Sequence, residues 1–146
     1  MKKSEQLDIS GDAGLRIWGE NLEELLANAA EGLGELITDL SRIEETDIRE
    51  VVLSNGRNED LLVKWLNELI FLFDTYGFIG KRFDVSLSPL LTKGVQEGVT
   101  LKAIVSGGIY IPEVNESRLL VKAATYHGLS LKKYNSHWEA VVIFDI

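Results

Sequence analysis

No cysteine occurs among the 146 residues, so a disulfide framework, a thiolate nucleophile and a thiolate metal site are all excluded. Histidine is nearly as scarce. His127 and His137 are the only two, which rules out a histidine-rich metal centre. Cations are outnumbered, with 15 Lys and Arg against 23 Asp and Glu and a net charge of -8. Affinity for nucleic acid comes largely from cationic contacts to phosphate, so no direct nucleic-acid binding is expected. Metal ions or basic partner surfaces suit this balance better. No apolar run approaches the ~20 residues of a membrane-spanning helix, and no early run resembles a signal peptide. A cytoplasmic protein with no membrane association is expected. There is no Walker loop, no GxGxxG and no defensible Ser–His–Asp set; Gly77-Phe78-Ile79-Gly80 and Gly107-Gly108 lack the strand–turn–helix context of a phosphate loop.

What the chain does contain is enough apolar material, 45% against 26% charged residues, for one globular domain over residues 1–146. Near its start, Leu7–Ile9 and Leu15–Trp18 flank a polar knot, Ser10-Gly11-Asp12-Ala13-Gly14. The two glycines let the backbone turn sharply or take positive φ around a lone acid. At the far end the apolar run Val141–Phe144 leads to Asp145 and Ile146. Domain termini often lie close together, so Asp12 and Asp145 can be neighbours in space, with the terminal group of Ile146 beside them. Oxygen ligands alone suit Ca²⁺ or Mg²⁺ rather than zinc or copper. The alternative is that Asp12 forms a turn and Asp145 is a solvated strand end, since isolated acids in turns are common.

Between these ends the pattern predicts β(β)-α-β-α-β-β-β-β. That order is an α+β domain with two long helices packed on one side of a mixed, mostly antiparallel sheet. Met1–Ser4 is a polar lead-in. Leu7–Ile9 and Leu15–Trp18 form one bent strand or two short ones. Asn21–Thr38 is a helix, with Asn21 as N-cap, Glu24 three residues on and an apolar stripe through Leu22, Leu25, Leu26, Leu33, Leu36 and Ile37. Asn58–Tyr76 is a second, capped by Asn58, with Leu62, Trp65, Leu66, Leu69, Ile70 and Phe73 on one face and Lys64, Asn67, Glu68 and Asp74 on the other. Trp65, Leu66, Leu69, Phe73, Leu26 and Leu33 are the expected core. Strands are expected around Val51–Leu53, over Arg82–Leu87 with Pro89 as a break, and over Gly98–Ser106 with Gly107-Gly108 as its end. Val121–Leu131 and Trp138–Phe144 follow, joined as a hairpin through Lys132–Ser136.

Two further groups could serve a site. On a strand through residues 122–127, Lys122, Ala124 and Tyr126 share one face, and Thr125 and His127 the other. Lys122 could orient a carboxylate or meet a phosphate, and His127 brings an imidazole, a side-chain type suited to proton transfer near neutral pH. An ordinary surface strand is the plainer alternative. Asp39 is either a third acid near the site or, in the favoured reading, a turn residue at a helix end.

Several separated segments, in order, resemble one known family across nearly the whole chain. They are Ser10-Gly11-Asp12-Ala13-Gly14; Asn28-Ala29-Ala30-Glu31-Gly32-Leu33 with Leu36-Ile37-Thr38-Asp39; Leu61-Leu62-Val63-Lys64-Trp65-Leu66-Asn67-Glu68-Leu69; Val121-Lys122-Ala123-Ala124-Thr125-Tyr126-His127; and Val142-Ile143-Phe144-Asp145-Ile146. The family is archease. Many relatives carry His-Thr-Ala-Asp where this chain has Ile9-Ser10-Gly11-Asp12, so no histidine role carries over, but the acid is kept. The resemblance implies an accessory protein rather than an enzyme. Its partner would be the GTP- and metal-dependent, RtcB-type RNA ligase that joins tRNA halves, whose guanylylation and repeated turnover it promotes. A divalent ion is implied at Asp12, Asp145 and Ile146, calcium first and Mg²⁺ or Mn²⁺ as alternatives, with Lys122 in the functional set. A general chaperone-like modulator of nucleic-acid enzymes and a metal-dependent hydrolase are the rival readings. Two carboxylates and one lysine are few groups for the hydrolase.

Overall fold

The Asn21 carboxamide accepts a hydrogen bond from the Glu24 N–H at 2.8 Å, and Glu24 reaches back to the Glu20 N–H. With Glu23 and Glu24 in the first turn, this starts α1 (Leu22–Ile37) where the local signals place it. Thr38 closes the helix, its N–H bonding Gly34 and its buried hydroxyl donating to the Glu116 carbonyl at 2.6 Å. The second helix, α2 (Asn58–Tyr76), also has the expected bounds, but its N-cap is Arg57 and no side chain caps it. It ends on Gly77, whose φ of 69° is the left-handed conformation of a helix stop. The structure, a computed structural model, describes residues 2–146; of the polar lead-in Met1–Ser4, Met1 lies outside the described residues. Among the described residues no helix is long and apolar enough to cross a membrane.

The strands are β1 (Ser4–Ile9), β2 (Asp12–Gly19), β3 (Asp47–Asn55), β4 (Phe78–Thr92), β5 (Val95–Ile109), β6 (Ala123–Ala124), β7 (Ser130–Lys133) and β8 (Trp138–Asp145). The α+β expectation holds. The strands divide between two sheets, β1-β2-β8-β6 with β7 also on β8, and β3-β5-β4, and every pairing is antiparallel. Each helix touches both sheets. Leu15 and Ile17 on β2, Val142 and Phe144 on β8, and Leu101, Ala103 and Val105 on β5 all point inward and are fully buried. Trp65, Leu66, Leu69, Leu26 and Leu33 join them, each contributing about 1.5–3 kcal/mol by transfer estimates. The Trp65 indole N–H donates to the Leu26 carbonyl at 2.9 Å and so ties α2 to α1. Phe73 is only partly buried, against the edge of Tyr110, while Phe71 and Tyr76 are exposed and pack on each other.

Strand limits depart from expectation in four places. β3 begins at Asp47, before the apolar centre, and pairs from Asp47 opposite Gly107. β4 runs through Pro89, opposite Val99; as an edge strand it needs no ladder donor on its outer side. β5 runs through Gly107 and Gly108. A Cβ there would lie 2.0 Å from the Ile79 oxygen and 2.1 Å from that of Glu44, so these glycines permit close approach instead of ending the strand. Finally, Val121–Leu131 is not one strand. Thr125 bonds the Ile143 carbonyl through its N–H and its hydroxyl, and Gly128 adopts a φ of 64°, which turns the chain between β6 and β7. The β7–β8 hairpin forms as expected, with Tyr134 stacked on His137.

Candidate metal centre

The site is built by strand register. Ile9 pairs with Asp12 across a two-residue turn in which Gly11 takes a φ of 80°. Gly14 plays a different part. A Cβ there would sit 2.8 Å from Ile9 Cδ1, so it makes room for the Ile9 and Leu7 side chains rather than for a turn. Ala13 pairs with Phe144, and one rung further along that register Asp12 stands opposite Asp145. On the other side of β8, Asp145 pairs with Ala123. One row therefore crosses the sheet as Ile9, Asp12, Asp145 and Ala123. The neighbouring row, Ala13, Phe144 and Ala124, is buried against the helices, so alternation points both carboxylates to the outer face. Cβ atoms of directly opposed residues lie about 4.5–5.5 Å apart.

Asp12 is half-buried, and Asp145 and Ile146 are exposed. Among the described residues neither acid has a salt-bridge partner, and no three Asp, Glu, His or Cys side chains gather as a metal cluster. The arrangement is thus two like charges on one rung, followed by the main-chain oxygens of Ile146. A cleft of about 470 Å³ opens beside them, lined in part by Asp8, Asp12, Leu36, Leu119 and Ile146. These groups fit a hard divalent ion: the donors are oxygen only, they share one face, and among the described residues neither carboxylate is in an ion pair. Two carboxylates offer fewer oxygens than the 6–8 that calcium takes, so an ion here would keep positions for water or a partner's oxygens.

The remaining candidate residues are placed differently. The Lys122 N–H donates to the Asp145 carbonyl at 2.8 Å, so its backbone holds the strand end, while its ammonium is exposed and in no ion pair among the described residues. The strand faces expected for residues 122–127 do not exist beyond Ala123–Ala124. His127 lies in the turn, its N–H on the Thr125 hydroxyl at 3.3 Å and its ring exposed. That turn is bonded to Ile143, two residues before Asp145. Asp39 is a turn former. Its carboxylate accepts from the Ser41 hydroxyl at 2.7 Å and the Ser41 N–H at 3.0 Å, which hold its carboxyl below the ordinary range, with Arg118 and Arg42 adding to the effect. The structure commits it to Ser41.

Two supports of the site are not visible in the sequence pattern. The Arg118 and Leu119 N–H groups bond the Ile37 and Leu36 carbonyls, which straps residues 116–122 to the end of α1 beside the cleft. Asn67, on the polar side of the α2 stripe, makes two hydrogen bonds to the backbone of Ala124. A larger cleft, of about 740 Å³, lies elsewhere, between α1 and β4. Its Lys3 is paired with Glu31, and its Lys81 bonds the Ser41 and Ile43 carbonyls.

A family model described as the Archease protein family (MTH1598/TM1083) matches residues 5–146. Protein archease of Saccharolobus solfataricus is 34% identical over 146 residues, covering the full length of both chains. That of Methanosarcina mazei is 35% identical over 146 residues, covering 99% of this chain and 97% of its own. Among solved structures, the solution structure of Methanobacterium thermoautotrophicum protein 1598 superposes with a TM-score of 0.81 at 32% identity, covering all of both chains. A Thermotoga maritima archease, described as a possible chaperone, shares the fold at a TM-score of 0.62 and 22% identity, covering 100% of this chain and 98% of its own.

Proposed function

The chain belongs to the archease family, and from that premise we propose that it is a cytoplasmic accessory protein, not itself an enzyme, that activates the GTP-dependent RNA ligase joining tRNA halves. In this reading it promotes guanylylation of the ligase and sustains its multiple turnover through a divalent ion held by Asp12, Asp145 and Ile146. The support for it is that the Ala13–Phe144 register, carried one residue further, sets Asp12 opposite Asp145, and among the described residues neither carboxylate is in an ion pair. Calcium suits the oxygen donors, with Mg²⁺ or Mn²⁺ as alternatives. Such an ion supplies positive charge at which phosphate oxygens of a nucleotide can be held. The chain's own part is to present two carboxylates on a rigid sheet. The exposed Lys122 ammonium follows directly from a strand end bonded to Asp145 and can meet an anionic group of the partner. With a net charge of -8, the protein acts on the ligase rather than on its RNA.

The test is ligation of tRNA halves by the cognate ligase at substoichiometric concentration. Wild-type protein should carry the yield beyond one product per ligase, and Asp12→Asn or Asp145→Asn should abolish that gain while leaving the circular dichroism unchanged. Full stimulation by both variants would defeat the carboxylate reading and favour general chaperone-like action. Phosphoester hydrolysis by the protein alone, lost in Asp12→Asn, would favour a hydrolase.

A further inference from the structure

We infer that Asn67 is a positioning residue for the carboxylate end of β8, an inference that rests on the cation reading of that end. Strand β6 has only two residues, and β8 is its neighbour on one side. On the other side no strand follows among the described residues. There the Asn67 side chain, reaching over from α2, accepts from the Ala124 N–H at 2.8 Å and donates to the Ala124 carbonyl at 3.2 Å. One carboxamide thus supplies the donor and the acceptor that a further strand would have offered. A two-residue ladder is too short to hold itself against fraying. Yet β6 is what flanks Asp145: Ala123 pairs with it, and the Lys122 N–H bonds its carbonyl. Beyond Asp145 the ladder ends, so its orientation toward Asp12 depends on neighbours on both sides. β2 provides one. The other is β6, and β6 is anchored to the core through Asn67. The residue sits on a helix whose Leu66 and Trp65 are fully buried, so the anchor itself is rigid. An outer residue that orients a ligand without touching the ion typically changes metal affinity 10–100-fold.

The experiment combines calcium titration by calorimetry with amide hydrogen exchange on the full chain, for wild type, Asn67→Ala and Asn67→Asp. In Asn67→Ala the Ala124 amide loses its acceptor in any case, so the informative amides are Lys122 and Thr125, whose acceptors are the Asp145 and Ile143 carbonyls. Both should exchange at least about tenfold faster, and calcium affinity should fall about tenfold, while amides of α1 and β5 keep wild-type protection. Asn67→Asp keeps an acceptor for Ala124 but not the donor, and should lie between the two in both readouts. Wild-type exchange at Lys122 and Thr125 together with wild-type affinity in Asn67→Ala would overturn the assignment. A uniform loss of protection across α1 and β5 would also overturn it, showing a general packing role. If wild type itself takes up no calcium, magnesium or manganese, the cation reading fails, and the exchange data still decide whether Asn67 holds the strand.

Discussion

Calcium should reverse the stability order of the wild type and its Asp12→Asn and Asp145→Asn variants. Without the ion, two carboxylates on one rung repel. Opposed side chains place them about 5 Å apart, where solvent-exposed unit charges interact by roughly 1 kcal/mol at the dielectric of water, less in salt. Replacing either by Asn should therefore leave stability unchanged or raise it by no more than about 1 kcal/mol in chelator. With calcium at a hundredfold excess over its dissociation constant, mass action adds about 2.7 kcal/mol to any folded state that binds it, because the unfolded chain has no assembled site. For a domain of this size that is a rise in Tm of about 8 °C. Wild type should show it, and neither Asn variant should. Differential scanning calorimetry in chelator and in calcium reads both effects. Equal calcium shifts in wild type and both variants would refute the site, and a wild type more stable than Asp12→Asn in chelator would refute the uncompensated repulsion.

Two further outcomes follow from the packing. Trp65→Phe loses the bond to the Leu26 carbonyl and leaves space beside Phe83, so urea unfolding should show a loss of about 2–3 kcal/mol; a loss under about 0.5 kcal/mol would mean the helices are tied elsewhere. Asp39 has its carboxyl held low by Ser41, so its stabilisation is complete above the ordinary carboxyl value near 4 and is lost as the pH falls through the lower folded value. The stability difference between wild type and Asp39→Asn, followed by urea unfolding from pH 6 to pH 2.5, should narrow at the acid end; a difference that widens there reverses the sign of the argument.

Both helices are legible along the chain before any tertiary contact is known, because their causes are local. The N-cap and the apolar stripe of Asn21–Thr38, and the apolar stripe of Asn58–Tyr76, act within about four residues of each other along the chain. The sequence also determined which residues could form an oxygen site, since absent cysteine and two histidines leave mainly carboxylates. Tertiary structure decided where the strands begin and end. Pro89 is tolerated because β4 is an edge, Gly107 and Gly108 continue β5 because other chain segments press on them, and residues 125–129 leave the sheet in a turn tied to Ile143 through Thr125 alone. None of these partners is a near neighbour in sequence. The same holds for the site. Two acids 133 positions apart become one rung only through the Ala13–Phe144 register, and Asn67 reads as a solvent-face residue until β6 is laid beside it. Strand pairing and side-chain bonds to distant backbone are contacts between segments, so their geometry exists only once the whole chain has folded.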